Sequence, residues 1–388
     1  MKVIAKILFL PVCVMFFAGN AYAGAPWVKP YVSYTEIYDD NIYLGHKDRE
    51  EDFISSVTPG ITVEIPFKKH RFMTDYNCNI QYFKTYHKEN NYNHTVESEV
   101  ELNFNKWHVV FNNKFRYFSD RSGSEDTGRI PRNQNQTGAH LTIDFDKMDL
   151  TGGFRYLWDY YRTTRPIGSF QGKSLNYKDL NRSQYVGELE AALKLWPKTS
   201  LLLFTDLGGI VHKTGKKSDS VYFDIMTGLR GHPLPKLTAE ALIGFRGQDY
   251  ENYNNDFYSV VFQGSLIEEF TPHDVLRFDF LRTTNDTIYQ NNVYYVSTFF
   301  GFTYNHSFTK RILATVDAYY QRDSYPSFAD NQDNKRGDNL WGSGCLLSYA
   351  LPKWFTVELG YKFLARDSNF SDYKYTDNRI TLGLKAEY

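Results

Sequence analysis

The closing segment of this 388-residue chain restricts what the rest can become. Ile380, Leu382, Leu384, Ala386 and Tyr388 are apolar at every second position, while Arg379, Thr381, Gly383, Lys385 and Glu387 between them are polar or small. A side-chain period of two describes a strand whose two faces meet different environments. The same alternation returns in Phe53, Val57, Ile61, Val63, Ile65 and Phe67, in Leu237, Ala239, Ala241, Ile243 and Phe245, and in Phe355, Val357, Leu359, Tyr361 and Phe363. Counted along the chain it occurs about eighteen times.

The alternation predicts strands at 28–38, 53–66, 71–86, 95–105, 107–118, 136–145, 148–161, 182–195, 199–212, 220–231, 237–248, 256–268, 275–285, 292–306, 310–323, 338–351, 354–366 and 378–388. The connections alternate in length. Asn105-Lys106, Asp146-Lys147, Trp196 to Lys198 and Pro352-Lys353 are short, whereas 119–135, 162–181 and 324–337 are long and polar. Short turns on one side and long loops on the other are the form of a transmembrane antiparallel up-and-down β-barrel. Both termini then lie on the short-turn side, which requires an even strand number. Eighteen fits, and sixteen would fit if two weak strands are misread. Most segments exceed the roughly 9–11 residues a tilted transmembrane strand needs, so the excess is expected to project beyond the outer face.

Bulk properties agree with that fold class. The mean hydropathy of −0.51 suits a wall in which alternate residues face lipid and water. Aromatic residues make up 17% of the chain, enough to furnish girdles at two lipid–water interfaces. A net charge of −1 argues against a nucleic-acid partner. Met1-Lys2-Val3-Ile4-Ala5-Lys6, an apolar run from Ile7 to Ala18 and Ala21-Tyr22-Ala23 read as a secretory signal peptide cut between Ala23 and Gly24. The expected organisation is therefore a signal peptide over 1–23 and a barrel over 24–388, in the outer membrane of a Gram-negative bacterium and in contact with its lipid. Cys78 and Cys345 fall on apolar faces of distant strands, so no disulfide framework is expected.

The opposite face of each strand would line the interior. It carries Glu97, Glu99, Glu101, Lys114, Arg116, Arg155, Arg182, Glu188, Arg230, Arg246, Arg277, Asp279 and Arg366 as lumen-lining candidates. Both signs are present, so strong anion selectivity is not predicted. Glu97, Glu99 and Glu101 are expected to meet Lys114 and Arg116 across neighbouring strands, either as wall-stiffening pairs or as a charged constriction. Loop 162–181 is the best candidate for folding inward, where Arg162, Arg165, Lys173 and Lys178 would make a basic patch. Phe118, Tyr161, Tyr222 and Tyr319 are interior aromatics that could stack on sugar rings. Three polar positions, Asn113, Glu268 and Arg282, fall on the lipid face, and Asn113 suggests a bulge or a register error. No histidine pair has metal-ligand spacing, no nucleophile–base pair is found, and neither cofactor nor catalysis is expected.

Glu36-Ile37-Tyr38-Asp39-Asp40-Asn41-Ile42-Tyr43-Leu44, followed by Phe53-Ile54-Ser55-Ser56-Val57-Thr58-Pro59-Gly60-Ile61, resembles the putative β-barrel porin 2 family. That resemblance implies an outer-membrane pore. It further implies the exit conduit of an exopolysaccharide export system, with a secreted polysaccharide and a periplasmic polysaccharide export protein as partners. A general or small-solute diffusion porin is the alternative, and an outer-membrane hydrolase a second.

Overall fold

The computed structural model describes residues 26–121, 129–170, 173–251, 253, 256–287, 292–328 and 334–388. The signal segment and the Ala23–Gly24 junction lie outside the described residues. Strands follow one another as β1 Trp27–Asp39, β2 Asp52–Phe67, β3 His70–Phe83, β4 Asn91–Asn103, β5 Trp107–Arg121, β6 Arg129–Asp144, β7 Met148–Tyr161, β8 Pro166–Phe170, β9 Lys173–Asn176 and β10 Arg182–Trp196. The second half contributes β11 Thr199–His212, β12 Ser220–Leu234, β13 Leu237–Tyr250, β14 Phe257–Thr271, β15 Asp274–Asp286, β16 Tyr294–Thr309, β17 Ile312–Phe328, β18 Lys335–Ala350, β19 Phe355–Ser368 and β20 Tyr375–Glu387. Eighteen of these form one antiparallel sheet, and β1 pairs with both β2 and β20, so the sheet closes into a barrel without edges. β7 pairs directly with β10, because β8 and β9 leave the wall as a separate hairpin.

The alternation read from the sequence decides which way each side chain points. On β12 and β13, Ile225 and Ile243 face outward at 61% and 57% exposure, while Leu242 and Met226 face inward and are buried. Trp107 and Tyr117 on β5 are ten positions apart on the outward face. At about 3.3 Å per residue and a tilt near 40°, that spacing matches an apolar band about 25 Å tall. Exposed Phe104, Trp107, Phe145, Trp196, Phe308 and Trp354 mark its periplasmic rim, and exposed Phe53, Tyr82, Tyr92, Tyr258 and Trp341 its outer rim. Cys78 and Cys345 are both free thiols.

The register is regular where Asn113 raised a doubt. Ser98, Asn113 and Thr137 stand directly opposite one another on β4, β5 and β6, with no bulge. The Asn113 amide donates to Asn135 Oδ1 at 3.0 Å and to Thr137 Oγ1 at 2.8 Å, so its polarity is satisfied sideways along the wall. Glu36 is an outward carboxylate that the alternation missed. The Tyr34 and Ser55 hydroxyls each donate to its Oε2 at 2.7 Å.

Two predicted loops are shorter than expected. β5 runs on to Arg121 and β6 begins at Arg129, and likewise β17 reaches Phe328 and β18 begins at Lys335. Above the lipid both faces of a strand meet water, so Asn133-Gln134-Asn135-Gln136 keeps its ladder while losing the apolar alternation that marks a strand. At the other end the turns are tight. Lys68, Asp146 and Lys353 adopt left-handed backbone with φ of 58°, 64° and 76°.

Candidate functional site: an ion-paired lumen

Inward positions of β7 and β10–β15 surround a cavity of about 570 Å³. Register builds its central row. Glu188, Asp206, Asp224 and Arg246 face one another in sequence across β10, β11, β12 and β13. Directly opposed side chains in a sheet have Cβ atoms only about 4.5–5.5 Å apart, so the row brings three carboxylates into contact distance. Arg155 pairs with Glu188, and His140 Nε2 lies 3.0 Å from Glu188 Oε2. Arg246 Nε donates to Asp224 Oδ1 at 2.6 Å, and its Nη1 donates to Thr283 and Thr284 at 2.8 and 3.1 Å. Asp206 lies between the two and its Oδ1 receives no hydrogen bond.

A second row lies nearer the periplasm. Arg230 reaches back to Glu190 through Nη1 and Nη2 at 2.6 and 2.8 Å, and forward to Glu240 at 3.0 and 3.1 Å. Four guanidinium groups and six carboxylates line the cavity in all.

Segments at the outer mouth close over this space. β15 pairs with β16 as far as Asp286 and Tyr294, but with β14 only as far as Phe262 and Arg282. Freed from β14, the end of β15 leans across the lumen. There Asp286 pairs with Arg182 of β10, and buried Lys217 donates to the Asn292 carbonyl at 3.3 Å. Tyr294 stacks on Tyr250 with ring centroids 5.1 Å apart, and Val293 is fully buried beside it. Leu175 of β9 and Ile167 of β8 join the same apolar cluster as Leu202, Met226 and Leu242.

Further round the mouth, Asp39 takes Arg121 at 3.1 Å and Arg379 at 3.2 Å, and Arg379 also pairs with Asp377 at 2.6 Å. Arg336 pairs with Asp338 at 2.6 Å and is held between the Tyr325 and Tyr373 rings.

The residues singled out in the sequence are distributed as follows. Lys114 pairs with Glu97 at 2.6 Å, as the opposed register requires. Glu99 and Glu101 instead share Arg71 of β3 at 2.7 and 2.5 Å, while Arg116 lies 3.9 Å over the Phe118 ring. Arg277 pairs with Asp279 two positions along its own strand at 2.8 Å, and Arg366 lies over Tyr375. Arg155, Arg182, Glu188, Arg230 and Arg246 meet at the cavity, away from Glu97, Glu99 and Glu101.

The 162–181 segment does fold onto the mouth, but its basic residues do not converge. Arg162 donates to the Tyr117 hydroxyl at 2.6 Å and Arg165 to the Tyr177 hydroxyl at 3.2 Å. Lys178 is exposed, and the Lys173 side chain lies outside the described residues. What anchors the segment is apolar: Leu175, Tyr177 and Leu180 are buried.

The interior aromatics offered as sugar platforms are occupied in similar ways. Tyr222 lies over Gly208, where a Cβ would fall 2.2 Å from its ring, and Tyr319 lies over Gly342 in the same manner. Phe118 is buried between Arg116 and Arg132, and Tyr161 stacks on Tyr177. Asp206, Asp286 and Lys217 escaped the sequence reading. Strand parity alone would have found Asp206, whereas the others depend on where loop tips fold.

A closed barrel with an apolar belt, two aromatic rims and a charged interior is an outer-membrane β-barrel porin of the Gram-negative type. The chain belongs to the Putative beta-barrel porin 2 family, which it matches over residues 18–388. Among solved structures it is similar to Pseudomonas aeruginosa OccK2 (OpdF) in complex with glucuronate, at 10% identity and a TM-score of 0.52, with 95% of this chain and 100% of that one covered. A second structure of OccK2 gives 10% identity and a TM-score of 0.50, with 93% and 98% covered. These similarities establish the fold. No curated protein matches the sequence. Neither the family description nor these structures bring a polysaccharide or an export partner with them.

Proposed function

We propose that this porin is a diffusion channel for small polar solutes rather than the exit of a polysaccharide export system. The observation that carries the reading is the state of the lumen. The end of β15 and the segment around Leu175 and Tyr177 leave a cavity of about 570 Å³ walled largely by mutually paired charges. That volume is in the range of about 300–1,000 Å³ typical of small-molecule sites. A moving glycan needs an unobstructed bore with exposed rings to slide along. Here Phe118 and Tyr222 are buried, and Tyr161 and Tyr319 are half-covered by their neighbours.

Purified protein in planar bilayers and in swelling liposomes tests the reading. Steady conductance, with permeation of monosaccharides and amino acids but not of oligosaccharides, is the expected result. Free passage of long oligosaccharides, or their block of the current from the periplasmic side, would return the assignment to export.

A further inference from the structure

We infer that the outer surface of β15–β18 docks phosphorylated lipid headgroups of the outer leaflet. Register places two rows of outward side chains one above the other on this face. The lower row is aromatic: Phe280, Phe300, Tyr320 and Trp341 stand opposite one another on four successive strands. Such rings settle at the depth where hydrocarbon gives way to headgroups. The row immediately above, one pleat nearer the outside, reads Arg282, Thr298, Arg322 and Asn339 on the same four strands. Every member carries a hydrogen-bond donor, and two carry a permanent positive charge.

Neither arginine has a carboxylate partner among the described residues, in contrast to the inward arginines Arg182, Arg230, Arg246 and Arg379. Arg282 donates through Nε to the Val260 carbonyl at 3.1 Å and through Nη1 to Thr298 Oγ1 at 2.8 Å, which fixes the guanidinium plane against the wall. Its Nη2 has no hydrogen-bond partner among the described residues. Arg322 is exposed and touches Asn339 Oδ1 at 3.4 Å. Strands in a sheet are about 4.7–4.9 Å apart, so β15 and β17 hold the Cα atoms of the two arginines roughly 10 Å apart along the membrane plane. A planar guanidinium grips a phosphate through two parallel N–H···O bonds. A headgroup with two phosphates can place one on each arginine, with its acyl chains lying along Phe278, Phe302 and Val316 below. Free phosphate has no such chains and would gain nothing from the aromatic row.

The full chain reconstituted in phosphatidylcholine vesicles, with or without diphosphorylated lipid A, tests this. Thermal unfolding is followed by gel mobility. Lipid A is expected to raise the wild-type midpoint by several degrees. Arg282→Gln/Arg322→Gln should keep the wild-type midpoint in phosphatidylcholine and lose the lipid A increment, and the Lys/Lys pair should recover part of it. An increment that survives in the Gln/Gln variant, or one reproduced by inorganic phosphate alone, overturns the proposal. Should the double variant fold poorly, native mass spectrometry of the exposed single variant Arg322→Gln decides. Unchanged lipid A adducts refute the site, and depleted adducts support it.

Discussion

Arg182 at the start of β10 binds Asp159 on the adjacent strand β7 and, five strands away, Asp286 at the end of β15. The first pair lies within the wall, and the second spans the lumen as a chord. Removing the chord while leaving Arg182 its wall partner should release the end of β15. Asp286→Asn is therefore expected to raise single-channel conductance and flicker, with closure weakened by about 1–3 kcal/mol, the range for a charged hydrogen bond lost from a partly buried site. Recordings indistinguishable from wild type would show that the end of β15 does not gate the pore.

The cavity wall has more carboxylates than guanidiniums, and Asp206 is the lining carboxylate with no ion pair of its own among the described residues. Rings of one sign set ion preference in a pore, so the channel is expected to favour cations weakly. In Asp206→Asn the potassium-to-chloride permeability ratio should fall by about threefold to tenfold, equivalent to roughly 1 kcal/mol. Reversal potentials in a KCl gradient measure it. An unchanged ratio would mean that Asp206 presents no charge that the permeating ions sense.

Lipid makes some of this molecule legible in sequence and hides the rest. Inside the membrane, hydrocarbon on one side and water on the other impose strict alternation, so Ile243 and Arg246 reveal their faces directly. The closed eighteen-strand sheet follows from that constraint. Above the membrane the constraint lapses, which is why Asn133 to Asn135 read as loop although they belong to β6. The site divides along the same line. Glu97 and Lys114 oppose each other by register, and the pairing is visible in the pattern of their strands. Asp286 meets Arg182 only because β15 parts from β14 near its end, and no local pattern announces that. In loop 162–181 the basic residues are what the sequence displays, yet it is Leu175 and Tyr177 that hold it down.

That loop also carries a pH dependence. Burial of Asp179 opposes its ionisation, but the Asn176 backbone N–H and the Lys216 ammonium outweigh this and hold its carboxyl below the usual range. A carboxylate with a depressed folded-state pKa contributes stability that is complete above its unfolded pKa and is lost as pH falls through the folded one. The loop should therefore stay docked from neutral pH down to the ordinary carboxylate range, and loosen below it. Limited proteolysis within 162–181 at stepped pH reads this out, with Asp179→Asn as the reference. The variant should be cleaved more readily at pH 7 and show little further change on acidification. Equal protection of both proteins at pH 7 would remove Asp179 from the account.

Two glycines separate wall geometry from mere residue size. At Gly228 on β12 a Cβ would sit 1.8 Å from the Ala241 carbonyl oxygen and 2.9 Å from Leu242 Cα, so β13 backbone occupies the space a side chain needs. At Gly187 on β10 nothing lies within 4 Å of the same position. Backbone cannot rotate aside as a side chain can, so Gly228→Ala must spread β12 from β13, at a cost of about 1–3 kcal/mol or more. Gly187→Ala meets no obstacle and reduces the freedom of the unfolded chain, which stabilises by about 0.4–1 kcal/mol. Urea unfolding in lipid vesicles should therefore shift the two variants in opposite directions from wild type. A Gly228→Ala barrel as stable as wild type would mean that β12 and β13 are not so closely apposed.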